Sequence, residues 1–196
     1  MAICRAPFRL SICGISELDE HCGAGVTHVL SITDPEWIEV APIAAFMPHC
    51  RLALRFHDII EPAPKRSAPS REDVARLLAF GRALRPGDHL LVHCHAGISR
   101  STAAAALILA QAEPYRPALE VLEQVTELRP RAWPNLRILE FGDALLDRGG
   151  SIVAAAGTIY RRALDRDPGF GDLIIGSGRG REVTAAFSLP GMARTG

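Results

Sequence analysis

A thiol and a guanidinium stand with five residues between them in Val92-His93-Cys94-His95-Ala96-Gly97-Ile98-Ser99-Arg100-Ser101-Thr102. An apolar run, Leu90 to Val92, leads in, and an alanine-rich run from Thr102 to Ala112 leads out. Strand, tight loop and helix N-terminus together make an anion site from backbone N–H groups. A thiol at the bottom of such a site is a nucleophile aimed at phosphorus. The thiolate is the reactive form, and a helix N-terminus with converging amides favours it. The loop residues His95, Ala96, Gly97, Ile98 and Ser99 are expected to hold phosphate oxygens through their amides. Arg100 adds a planar fork that binds two oxygens at once, as a lysine cannot. Gly97 permits a turn that a Cβ would obstruct. Ser101 is expected to donate a hydrogen bond to the departing thiolate, and His93 to orient the loop through its ring nitrogens.

Other readings of the same residues are poorer fits. A structural cysteine with Arg100 on a helix surface leaves the strand–loop–helix context unexplained. Sulfur carriers of the rhodanese type cradle a thiolate similarly, but their loop is typically shorter. A metal site is disfavoured, because His93, Cys94 and His95 are adjacent and no Cys-x-x-Cys pair exists elsewhere.

The stretch His93-Cys94-x-x-Gly97-x-x-Arg100-Ser101 resembles the signature of the cysteine-based protein tyrosine phosphatases, and its full form is most similar to the dual-specificity branch. The resemblance implies hydrolysis of phosphomonoesters through a phosphocysteine, with Cys94, Arg100, Ser101 and an Asp as catalytic residues. In that branch the acid follows a strand upstream of the cysteine, which here implies Asp58, after Leu52 to Phe56. The Pro-rich segment 62–70 behind it has the composition of a closing loop. Glu61 is the second candidate; Glu72 and Asp73 read as the start of the next helix. A solvated turn carboxylate is the plain alternative for Asp58. The stretch Arg129-Pro130-Arg131-Ala132-Trp133-Pro134-Asn135 also resembles the branch, where such an Asn braces the active-site loops. Asn135 fits a helix N-cap equally well. Ile138 and Phe141 stand where the family pattern has a Phe and a Gln. Cys50 resembles, locally, a cysteine that in a phosphoinositide-directed group captures the oxidised nucleophile, which implies a Cys50–Cys94 disulfide; an inert buried cysteine is the other reading.

The periodicity of apolar residues supplies the frame for these groups. Strands are expected over 8–14, 29–32, 52–56 and 89–93. Helices are expected over 17–22, 35–47, 71–84, 100–112, 117–128 and 135–148. Alternation of the two indicates an α/β fold, a central parallel or mixed sheet of four to five strands flanked by helices. The cysteine loop then lies at a strand's C-terminal end, where open α/β sheets bind ligands. Residues 1–148 are read as the catalytic domain. A further helix over 149–166 carries an apolar stripe of Ile152, Ala155, Ala156, Ile159 and Ala163, read as core. The Gly-rich residues 167–196 are read as an irregular tail.

Bulk properties agree with a cytoplasmic enzyme. A chain of 196 residues buries one good core. No apolar run approaches the ~20 residues of a membrane span, and the N-terminus lacks the ordered regions of a signal peptide. Five cysteines at scattered spacings argue for a reducing compartment. Zero net charge supplies no field for nucleic acid. The expected partner is a phosphorylated protein or a small phosphomonoester, with no metal and no cofactor. A phosphoinositide phosphatase, or a phosphate-binding module without turnover, is the alternative.

Overall fold

The computed structural model describes residues 7–38 and 50–188. The expected helix over 35–47 falls largely outside those residues, as does the end of the expected tail. Four strands are present among the described residues: β1 (Arg9–Gly14), β2 (His28–Thr33), β3 (Cys50–Arg55) and β4 (His89–Cys94). They form one sheet in the order β1-β4-β2-β3, parallel at every pairing. Of the expected parallel or mixed sheet of four to five strands, the parallel, four-stranded form is the one found.

Side chains alternate across the sheet as the strand repeat requires. Leu10, Ile12, Leu30, Ile32, Leu54, Leu90 and Val92 enter the main core, and Cys94 points the same way. Val29, Leu91 and Cys13 face the other side and pack with Leu18 and Val26. A short 3-10 turn at Ile15–Glu17 and helix α1 (Leu18–His21) cover that second face.

Helices α2 (Arg71–Arg82) and α3 (Arg100–Ala112) lie on the main face, and α4 (Ala118–Leu128) and α5 (Leu136–Leu145) pack against α3. Ser70 caps α2: its hydroxyl accepts from Asp73 N at 3.1 Å while Asp73 accepts from Ser70 N at 3.0 Å. This places Asp73 at a helix start, as expected. Helix α3 is buried from Arg100 to Ala110. Its alanines let it lie centrally, close to the sheet and to its neighbouring helices.

Three more helices follow among the described residues: α6 (Ser151–Arg166), α7 (Gly169–Gly176) and α8 (Gly180–Phe187). The stripe of α6 is core, with Ile152, Ala155, Ala156 and Ile159 buried. The carboxylate of Asp143 accepts from Gly150 N at 2.6 Å and Ile152 N at 2.7 Å, which satisfies the first turn of α6. Helices α7 and α8 correct the expectation of an irregular tail from residue 167. That expectation weighed the scarcity of apolar residues, but ordering here also comes from buried polar groups. Arg179 and Glu182 are buried, and Phe170, Ile174 and Ala186 join the core. No helix among the described residues is long and apolar enough to cross a membrane.

Candidate active site

The parallel register puts Cys94 opposite Gly14 at the C-terminal end of the sheet. The thiol is 2% exposed, and its Sγ lies 3.2 Å from the Ser101 hydroxyl. Helix α3 begins at Arg100, so its N-terminus faces the loop. The loop carbonyls are held outward one by one. His95 O accepts from Ile15 N at 3.0 Å, and Ile98 O from Trp133 N at 2.9 Å. Arg129 takes the two between, donating from Nη2 to Ala96 O at 3.1 Å and from Nε to Gly97 O at 3.0 Å. In a trans peptide the N–H points opposite to the C=O. The amides of Ala96, Gly97, Ile98 and Ser99 therefore point away from those outer donors and toward the cradle over Cys94. Arg129 is fixed in turn by both oxygens of Glu17, at 2.9 and 2.6 Å, and the Arg129 bond holds the Glu17 carboxyl below its usual range. Gly97 has φ +69°, and a Cβ there would come within 2.5 Å of the Cys13 carbonyl carbon.

Arg100 is 3% exposed. Its Nη1 donates to Asp34 Oδ1 at 2.6 Å and to Phe56 O at 2.7 Å. Its buried Nε has no hydrogen-bond partner among the described residues. His95 accepts at Nε2 from Asp34 N at 3.2 Å. Burial, and then the charge of Arg100, keep its pKa below the ordinary value, so the imidazole is neutral. His93 is buried under the sheet end with Nε2 at 2.7 Å from Ser31 Oγ. Cys13, behind the loop, is pushed up to about 12 by burial and by Glu17, and stays a thiol.

Asp58 lies on the same cavity, a space of about 200 Å³ shared with Cys94, Ser99 and Arg100. Ser99 Oγ and Asn135 Nδ2 both donate to its Oδ1 at 2.8 Å. Asn135 is the N-cap of α5, its Oδ1 accepting from Ile138 N at 3.1 Å, so the same side chain links the start of that helix to Asp58. Glu61 is not among the residues that line this cavity and is paired with Arg181.

Two arrangements differ from expectation. Cys50 opens β3 at the level of Leu90, the far end of the parallel sheet from Cys94. Four residues of strand at about 3.3 Å each, and two strand spacings sideways, separate them. A disulfide spans Cα atoms no more than ~7 Å apart, so the Cys50–Cys94 bond is ruled out by this topology. Cys50 is also exposed, not buried. The second difference is Arg179, from the segment expected to be irregular. Its Nη1 donates to Asp58 Oδ2 at 3.1 Å and its Nη2 to Ser99 Oγ at 2.8 Å. Burial opposes its charge, yet Asp58 and Glu182 beside it raise its pKa above the usual arginine value. Glu182 is buried and accepts from Arg179 Nε, Leu136 N and Trp133 Nε1. Phe170 and Ile174 complete the cavity wall. Sequence reasoning missed Asp34, Arg129 and Arg179 as members of this site. Asp34 had a signal, an acidic residue just past a strand's C-terminal end; Arg179 had only its i, i+3 spacing to Glu182.

No family model matches the chain, and no curated protein matches it. Solved structures do. Human DUSP28 is similar over 71% of this chain and 94% of its own length, at TM-score 0.54 and 18% identity. Tk-PTP in its active form covers 73% and 97%, at TM-score 0.51 and 22% identity. PTPMT1 in complex with PI(5)P covers 71% and 91%, at TM-score 0.50 and 16% identity. Each leaves more than a quarter of this chain unmatched. The chain has the α/β fold of the dual-specificity-like cysteine phosphatases.

Proposed function

We propose that the protein is a phosphomonoester hydrolase of the dual-specificity type, with Cys94 as nucleophile. The observation that carries this reading is the donor set over the buried thiol: four amides turned inward by outward-held carbonyls, and an Arg100 Nε with no partner among the described residues. Such a set fits the equatorial oxygens of a phosphoryl group in transfer. Cys94 Sγ bonds to phosphorus as the ester P–O bond breaks, and the proton of Asp58 passes to the leaving oxygen. Water then attacks phosphorus, Asp58 takes back a proton, and the P–S bond breaks. The Ser101 hydroxyl at 3.2 Å supports the sulfur as it regains its charge. The protein side chain of a phosphotyrosine, phosphoserine or phosphothreonine is the preferred ester.

Phosphoinositides are the second reading, favoured by a neighbouring cleft of about 300 Å³ that shares Ile98 and Phe170 with the cavity. Arg131 and Arg166 line it, and would suit a second phosphate. The deciding experiment follows pre-steady-state turnover of an aryl phosphate by the wild-type protein and Cys94→Ser, then compares phosphotyrosyl, phosphothreonyl and phosphoinositide substrates with and without EDTA. A burst in the wild type is expected. Cys94→Ser is expected to lose turnover and keep vanadate affinity, because the amides and Arg100 remain. Wild-type rates from Cys94→Ser would end the proposal.

A further inference from the structure

Arg179 reaches the loop from eighty residues downstream, and only 6% of it is exposed. Its guanidinium is anchored on one side and working on the other. The anchor is Glu182, fully buried, which accepts from Arg179 Nε at 2.9 Å and Nη2 at 2.8 Å. Trp133 Nε1 and Leu136 N fix Glu182 to the segment that also carries Asn135. The remaining donors of Arg179 therefore have one orientation, toward Asp58 and Ser99.

Hydrogen accounting at Asp58 gives that orientation a chemical meaning. Ser99 accepts from Arg179 and has one hydroxyl hydrogen, which goes to Asp58 Oδ1. Asn135 supplies a second donor to the same oxygen. Both common acceptor directions of Oδ1 are taken. Oδ2 receives Arg179 alone among the bonds found, so it is the oxygen with room for a proton.

We propose that Arg179 is a positioning residue for proton transfer by Asp58. It fixes the plane of the carboxyl so that Oδ2 carries the mobile proton on the cavity side. When that O–H bond breaks and the leaving oxygen takes the proton, the electron pair stays on Asp58, beside a fixed positive charge. The water-activating half-reaction uses the same oxygen in reverse. The inference rests on the phosphatase reading above and adds α7 and α8 to the working parts of the site. A purely structural Arg179 would hold α8 in place and leave the leaving-group dependence of the rate untouched.

The test compares kcat on phenyl phosphate, a poor leaving group, with p-nitrophenyl phosphate, an activated one. The proteins are wild type, Asp58→Asn, Arg179→Lys, Arg179→Gln with Glu182→Gln, and Asp58→Asn with Arg179→Lys. The Arg179→Lys protein keeps a cation beside the buried Glu182, and the paired Gln variant removes both charges together, so neither strands a lone buried charge. Thermal melts establish which are folded. General acid catalysis is worth roughly 10²–10⁴, and loss of its positioning group is expected to cost roughly tenfold to hundredfold on phenyl phosphate and far less on the activated ester. The Asp58→Asn, Arg179→Lys protein is expected to be no slower than Asp58→Asn. Equal losses on both esters in folded protein, or losses additive with Asp58→Asn, overturn the role of Arg179 and leave the phosphatase reading standing. Absence of turnover in the wild type overturns both.

Discussion

A methyl group added at Gly97 has nowhere to go. The residue sits at φ +69°, and its Cβ would lie 2.5 Å from one backbone atom of Cys13 and 2.6 Å from the amide nitrogen of Gly14. Gly87 has a similar φ, +96°, with open space around it. Both alanine variants carry the left-handed cost of roughly 1–3 kcal/mol, but only Gly97→Ala must also displace β1 or the loop. Turnover and vanadate affinity are expected to collapse together in Gly97→Ala and to survive in Gly87→Ala, read by steady-state kinetics and titration. Equal activity in the two would mean that the loop tolerates the shift. The contrast also shows why part of the site is legible in the sequence. Cys94, Gly97, Arg100 and Ser101 act in one contiguous loop, so the chemistry dictates their spacing. Arg129 acts on the loop's carbonyls while paired to Glu17, 112 residues away, and no local pattern records such a bond. Arg179 is hidden for the same reason, its meaning lying in Asp58 and Ser99.

Helices α6 and α8 cross at Gly157, where a Cβ would come within 2.6 Å of Ala185 O. That close approach brings α8 against the Trp133–Tyr160 stack, whose rings lie 4.4 Å apart. It also sets Glu182, and through it Arg179. Gly157→Ala pushes α8 outward and is expected to destabilise the fold by roughly 1–3 kcal/mol, the usual cost of overpacking. If α8 delivers Arg179 to Asp58, the same variant lowers phenyl phosphate turnover more than p-nitrophenyl phosphate turnover. Melting curves and the ratio of the two rates check this; a lowered melting temperature with an unchanged ratio would separate α8 from the site. Alternation of strands and helices made the sheet and its covering layer readable, because each period is written in consecutive residues. Helices α7 and α8 were not readable. Each is eight residues long, α7 carries three glycines, and a buried Arg179–Glu182 pair that composition does not reveal adds to the packing of Ile174 and Ala186.

At the scale of the whole molecule, acid acts on stability through a few groups in sequence. Burial is the main cause of a lowered pKa at His89, which is 3% exposed, and at His95 in the cavity. The imidazole of His89 sits between Ala24 O and the Ser11 hydroxyl in its neutral form. In the unfolded chain both rings take a proton near the ordinary value of 6.5. The native state resists that proton, so the unfolded state binds more of them as pH falls. Their contribution is whole above pH 6.5 and is lost as pH drops toward the native values. Glu17, held low chiefly by its bond to Arg129, adds a second loss of the same sign below 4.5. The melting temperature is therefore expected to be level between about pH 7 and pH 9, to fall above 9.0 where unfolded Cys13 ionises and the native thiol does not, to decline below 6.5, and to steepen below 4.5. His89→Gln separates the stages: it lowers the plateau by removing a buried hydrogen-bonded ring and flattens the decline between pH 6.5 and 4.5, with the steeper stage unchanged. Melts across that range in the two proteins decide the matter. An undiminished decline in His89→Gln would assign the upper stage to His95, beside the anion cradle, and bound phosphate would then shift its midpoint.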